Sequence, residues 1–184
     1  MDSLCRAWSK GDPLLEAYHD HEWCKISHDE NHLFELLCLE GASVGLSWKL
    51  IMHKRKAYQE AFHHFDIDRC AMMDEAELAS LFDNPNLVRN KAKIRSVASN
   101  ARAVKQIQRE FGSFDNYLWG FAGNKVIDGH YKTLEEVPTV SRLSILLSKD
   151  MKRRGIQFMG PTITYSFLQA VGIVNDHLID CEFR

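Results

Sequence analysis

Apolar residues recur along the chain three or four positions apart, and the stretches between them hold residues that start and stop helices. Asp12-Pro13 joins an N-cap to a proline at the first helical position, predicting a helix through Leu14, Ala17 and Tyr18. Asp29 or Asn31 opens the next, which carries Leu33, Leu36, Leu37 and Glu40 as far as Gly41. A third starts at Leu46 or Ser47 and runs through Trp48, Ile51, Met52 and Tyr58 towards Phe62. Asp66 and Asp74 read as caps of two short helices, the second burying Leu78, Leu81 and Phe82.

Asp83-Asn84-Pro85-Asn86 then imposes a turn. A long helix follows from Leu87 or Asn90 to Glu110, with Ile94, Val97, Ala98, Ala101 and Val104 on its apolar face. Beyond Gly112, residues 114–121 form a short helix and 122–138 a loop. Ser141 caps a helix to Arg154 that ends at Gly155, and Gly160-Pro161 introduces a last one from Thr162 to about Val171. No run alternates in the manner of a half-buried strand, so the predicted class is all-α. No repeat, low-complexity segment or linker divides the chain. Any division is spatial: a middle lobe of about 66–135, holding a helix–hairpin–helix near 75–110, and a second lobe built from both chain ends.

A length of 184 residues fits one domain, and 45% hydrophobic with 26% charged residues is the composition of a folded globule, which excludes disorder as the main theme. No apolar run spans a bilayer, and Met1-Asp2-Ser3-Leu4-Cys5-Arg6 lacks the layout of a signal peptide, so a cytoplasmic protein with no membrane partner is expected. Five cysteines at irregular spacing point to metal binding or burial rather than disulfides. The formal charge of -2 argues against a nucleic-acid partner. That figure is an average, however. Arg89, Lys91, Lys93, Arg95, Arg102 and Lys105 occupy a stretch without a single Asp or Glu. Following a tight hairpin, such a row suits a phosphate backbone; read alone, it fits a solvated helix face as well.

Two other constellations carry chemistry. His177 and Cys181 stand four residues apart, on one face if that stretch is helical, and Cys5 with His19 would complete a closed Cys2His2 zinc site fastening the two termini. His21, Cys24 and His28 compete for the amino-terminal half, and plain burial of the cysteines remains the alternative. Glu40 lies in an otherwise apolar helix end, where an ionised carboxylate is costly unless it is hydrogen-bonded or used. Trp48, Trp8, Tyr18 and Trp23 could wall a pocket for a flat ligand around it, or belong to the core.

These residues, in order, resemble the bacterial 3-methyladenine DNA glycosylase I family. The resemblance is carried by Cys5 and Trp8, by Asp12-Pro13-Leu14, Ala17-Tyr18-His19-Asp20 and Glu22-Trp23, and by Leu33-Phe34-Glu35, Leu39-Glu40-Gly41 and Gly45-Leu46-Ser47-Trp48. It continues through Arg89-Asn90, Lys93-Ile94, Asn100-Ala101-Arg102, Gly160, Tyr165-Ser166-Phe167, Asn175-Asp176-His177 and Cys181. It implies the helix–hairpin–helix glycosylase fold, a structural zinc on Cys5, His19, His177 and Cys181, and a base pocket of Glu40, Tyr18 and Trp48 with Trp8 and Trp23 nearby. It also implies insertion of Gly45-Leu46 into the base stack and DNA contact by Arg89, Asn90, Lys91 and Lys93. The implied reaction is hydrolysis of the N-glycosidic bond of 3-methyladenine in double-stranded alkylated DNA, releasing the base, by a monomer. Other members of the superfamily place a catalytic aspartate near the hairpin, which this family lacks, and no lysine here is marked as a Schiff-base nucleophile, so lyase activity is not expected. Leu15 stands where an aromatic is usual, with a reshaped pocket rim as the expected effect, and Cys24 replaces a usual glycine. Pro85-Asn86 and Ala92 stand where some relatives have glycine. A non-catalytic DNA-binding module that keeps the zinc is the second reading, and a zinc hydrolase with an open metal position the third.

Overall fold

The structure, a computed structural model, describes residues 4–184; Met1, Asp2 and Ser3, part of the amino terminus read above, lie outside them. A 3-10 helix over Leu4–Ser9 leads into α1 (Pro13–His21), α2 (Glu30–Ser43), α3 (Trp48–Ala61), α4 (Ile67–Met72), α5 (Glu75–Ser80), α6 (Lys91–Phe111) and α7 (Phe114–Phe121). After a loop come α8 (Arg142–Arg153) and α9 (Pro161–Ala170). The starts follow local chemistry. Asp12, Asp29, Ser47, Asp66, Asp74, Asn90, Ser113 and Ser141 each accept a backbone N–H of the helix they open.

Helix α2 is the central element, with every residue from 33 to 43 buried. A helix apolar on all sides must lie inside the fold. Its neighbours include α3, α6, α7 and α9, and one continuous core joins Leu33 and Leu37 to Ile94 and Val97 of α6 and to Phe167 and Leu168 of α9. The helix does not stop at Gly41 as the sequence predicts. It runs on to Ser43, where Lys93 of α6 supplies donors to its terminal carbonyls.

The segment 122–138 is more ordered than a plain loop. Ile127–Asp128 (β1) pairs in parallel with Val174–Asn175 (β2), and Thr133 and Glu136 form a reciprocal cap on a 3-10 turn at Leu134–Glu136. Gly172 holds the carboxyl end of α9 against residues 25–26: at φ +77 it has the left-handed backbone that favours glycine, and a Cβ there would lie 2.4 Å from the Lys25 carbonyl. Among the described residues no helix is long and apolar enough to cross a membrane.

Candidate active site

Four separate parts of the chain enclose a cavity of about 460 Å³, within the usual range for small-molecule sites. Trp8 comes from the amino-terminal 3-10 helix, Tyr18 from α1 and Trp23 from the turn after it. Glu40, Ser43, Leu46 and Trp48 come from the end of α2 and the start of α3. The remaining wall is Leu134, Val137, Pro138 and Thr139 with Thr162, Ile163, Tyr165, Ser166 and Gln169 of α9. The aromatic rings form a chain: Trp23 to Trp8 at 5.8 Å between centroids, Trp8 to Tyr18 at 6.4 Å and Tyr18 to Trp48 at 5.6 Å.

Glu40 is the one acidic side chain on this wall, and among the described residues its carboxyl makes no hydrogen bond. Burial alone pushes its pKa up to about 8. Tyr18 is held protonated, chiefly by burial and then by the nearby Glu40 charge. The cavity therefore sets a phenol and a carboxyl beside stacking faces, an arrangement that can bind a flat, hydrogen-bonding and cationic ring. The α9 wall was not marked by the sequence reading. Gln169 donates its side-chain amide to Asp176 at 2.7 Å, and the Tyr165 hydroxyl donates to the same carboxylate oxygen at 2.5 Å.

Leu15 does not form the rim. It is buried with Tyr18 and Met52 behind the indoles of Trp8, Trp23 and Trp48, so the departure from an aromatic changes what backs the walls. Cys24 has φ +62, the backbone region that explains a glycine at this place; its N–H donates to the Gln169 carbonyl and its Sγ accepts from the Asp176 N–H.

The four predicted metal ligands meet in one buried cluster whose donor atoms all lie within 4.8 Å of one another. His177 and Cys181 are brought together by a turn rather than the helix the sequence reading considered, with the Cys181 N–H donating to the Leu178 carbonyl. Cys5 Sγ stands 3.2 Å from His19 Nε2 and 3.6 Å from His177 Nδ1, and Cys181 Sγ 3.9 and 3.4 Å from the same two atoms. Tetrahedral zinc with bonds of about 2.0–2.3 Å needs ligand atoms roughly 3.3–3.8 Å apart; the four Cys–His separations of 3.2–3.9 Å come close to this, and the cluster could hold a metal ion. The outward ring nitrogens are also engaged: His19 Nδ1 with Asp20 at 2.7 Å and His177 Nε2 with the Trp23 carbonyl at 3.0 Å. Burial pushes the Cys5 thiol up to about 12 and the His177 imidazole down to about 4. A dication between them would supply the missing countercharge. His21, Cys24 and His28 take no part in the cluster.

The basic row is largely consumed inside the molecule. Arg95 pairs with Glu75, Lys105 with Asp68, and Arg102 donates to the Ala71 and Met73 carbonyls that end α4. Lys93 departs most from an exposed row, for it is buried and its ammonium donates to the Ala42 and Val44 carbonyls. Asn90 caps α6 through the Ala92 and Lys93 N–H groups. Arg89 and Lys91 stay exposed and without ion pairs among the described residues, Lys91 resting 5.4 Å over the Phe82 ring.

A sequence profile of the methyladenine glycosylase family matches residues 8–184. The chain belongs to the methyladenine glycosylase family. It is 41% identical over 174 residues to DNA-3-methyladenine glycosylase 1 of Escherichia coli, covering 95% of this chain and 93% of that one. It is 40% identical to DNA-3-methyladenine glycosylase of Haemophilus influenzae, covering 100% and 99%. Among solved structures it superposes with TM-score 0.94 on a 3-methyladenine DNA glycosylase I in complex with 3-methyladenine, at 35% identity and 97% and 96% coverage. The enzyme from Staphylococcus aureus gives TM-score 0.94 at 36% identity, covering 97% of this chain and 95% of that one.

Proposed function

We propose that this protein is a monofunctional DNA repair glycosylase that hydrolyses the N-glycosidic bond of 3-methyladenine in alkylated duplex DNA. The observation that carries the reading is Glu40: a desolvated carboxyl without a hydrogen-bond partner, set into an aromatic cavity. Burying such a group costs several kcal/mol, which a structural role does not offset here. The flipped base enters between Trp48 and Tyr18, with Trp8 and Trp23 closing the cavity behind them. Opening the duplex costs a few kcal/mol, less for a damaged base that pairs and stacks poorly. Glu40 accepts from the exocyclic amine and offsets the positive charge that N3 methylation puts on the base. When the bond from the base nitrogen to C1′ breaks, its electron pair stays with the base, which leaves neutral; the sugar takes up the positive charge, water bonds to C1′, and the proton it loses passes to solvent. Because the alkylated base is already a good leaving group, little acid catalysis is needed.

Gly45, at φ +76, turns the chain so that the half-exposed Leu46 stands at the cavity mouth, where it wedges into the base stack. Arg89, Lys91 and the amino terminus of α6 at Asn90 hold the DNA backbone. Cys5, His19, His177 and Cys181 hold one structural zinc, which joins the termini and keeps Trp8 and Trp23 in place; four protein ligands leave no position for a catalytic water. The two-lobed single domain remains part of this reading, with every lining residue of the cavity except Leu134 coming from the lobe built of both chain ends.

The test is incubation with methylated duplex DNA, following free 3-methyladenine and abasic sites. Release of the base without strand cleavage is expected. Binding of that DNA with no base release would instead identify the non-catalytic module.

A further inference from the structure

Lys93 occupies the third position of α6, where a cation meets the positive end of the helix dipole. Burial opposes its charge too, and lowers its pKa. Both effects are met by the carbonyls that end α2: Nζ donates to Ala42 at 2.9 Å and to Val44 at 2.6 Å. Those residues flank Ser43 on the cavity wall and lead directly into Gly45 and Leu46. The hairpin before α6 is tied to α3, the helix that follows the same loop. Lys54 of α3 donates to the Pro85 carbonyl, and the Val88 N–H donates to the Tyr58 hydroxyl, while α3 itself begins at Trp48. The α6 hairpin, whose exposed end carries Arg89 and Lys91, thus holds the end of α2 that enters the loop 44–47 and the helix α3 that leaves it.

We propose that Lys93 is a positioning residue that couples seating of the DNA backbone at the start of α6 to insertion of the Gly45–Leu46 loop into the base stack. Lys93 touches neither phosphate nor base. It holds the end of α2 in register with α6, so that docking of the backbone sets the height of Leu46 above the cavity. The inference rests on the wedge reading of Leu46 given above.

Lys93→Met keeps the length of the side chain and removes the donors; Lys93→Arg keeps donors; Leu46→Ala reports on the wedge itself. Release of base from methylated duplex DNA should fall in Lys93→Met roughly ten- to a hundredfold in kcat, the usual scale for ångström misplacement of a reacting group. The salt dependence of DNA binding and the affinity for free 3-methyladenine, read by tryptophan fluorescence, should be unchanged, and Lys93→Arg should recover most of the rate. Four results would overturn the proposal. They are a salt slope lower by about 0.9, which marks a lost phosphate contact; an unchanged kcat; loss of free-base affinity in parallel with kcat, which marks general loosening of the pocket; and an Arg variant no better than Met. Full duplex activity in Leu46→Ala would refute the wedge reading, whereas a slow Leu46→Ala beside a fast Lys93→Met would refute the coupling alone.

Discussion

Replacing Glu40 by Gln should abolish most base excision and, at the same time, stabilise the protein in a pH-dependent way. Burial raises this carboxyl from an ordinary value of 4.5 to about 8. Between those values the unfolded chain has lost the proton that the folded chain keeps, so the folded state loses stability as pH rises, by about 1.4 kcal/mol per unit. The loss is absent below about pH 4.5, reaches about 3 kcal/mol at pH 7 and levels at about 5 kcal/mol above pH 8. A glutamine cannot ionise and escapes it. Whatever its amide costs by lacking a partner is independent of pH, and the titration of the Cys/His cluster is common to both proteins, so the pH dependence of the difference isolates Glu40. Urea denaturation at pH 5, 7 and 8.5 measures it; relative to the parent, the variant should gain about 2–3 kcal/mol between pH 5 and 7 and about 4 kcal/mol between pH 5 and 8.5. A difference that stays constant across pH would show that Glu40 is not desolvated. Near-full release of 3-methyladenine by the variant would end its assignment as the group that recognises and offsets the charged base.

Protein purified without chelator should contain about one equivalent of zinc, and Cys181→Ser or prolonged chelation should lower its stability by several kcal/mol, with activity lost only as the fold is lost. Absence of metal, or activity that follows metal content in protein that stays folded, would refute the structural clasp. Replacing Arg89 and Lys91 together by alanine should weaken DNA binding and reduce the slope of log K against log salt by about two, since each phosphate contact contributes about 0.9. Arg95→Ala, which removes a partner of Glu75, should leave that slope in place; the opposite result would put the DNA elsewhere on the molecule.

The helix starts were legible because capping is local: Asp12, Ser47 and Asn90 lie within three residues of the N–H groups they accept. Glu40 was legible as an acid in an apolar run. The fate of Lys93 was not, because its partners lie 49 and 51 residues away and nothing in its own neighbourhood distinguishes it from Lys91. The same distance hides Arg102, whose task of ending α4 is set 29 and 31 residues upstream. Gln169 and the wall at Leu134 and Val137 escaped for another reason. They reach the cavity through a two-residue strand pairing and a hydrogen bond to Asp176, neither of which leaves a periodic trace.

The internal partners of the basic row bear on how a net charge of -2 would relate to selectivity under the proposed function. If Arg89 and Lys91, which have no ion pair among the described residues, make the backbone contacts proposed above, counterion release would provide a salt slope of about two, and a fourfold change in salt would alter affinity only about tenfold. That is too little to hold the enzyme on DNA by charge, and it carries no information about damage. Discrimination therefore falls on the cavity. Stacking on an aromatic face contributes about 1–3 kcal/mol per base whether or not the base is alkylated. On the proposed reading, the charge of Glu40 is the term that would separate a cationic purine from a neutral one. A neutral base would leave the carboxyl protonated and gain a neutral hydrogen bond but no charge attraction from it. A cationic base draws it into the ionised state, and the burial that destabilises the free protein becomes the means of selection.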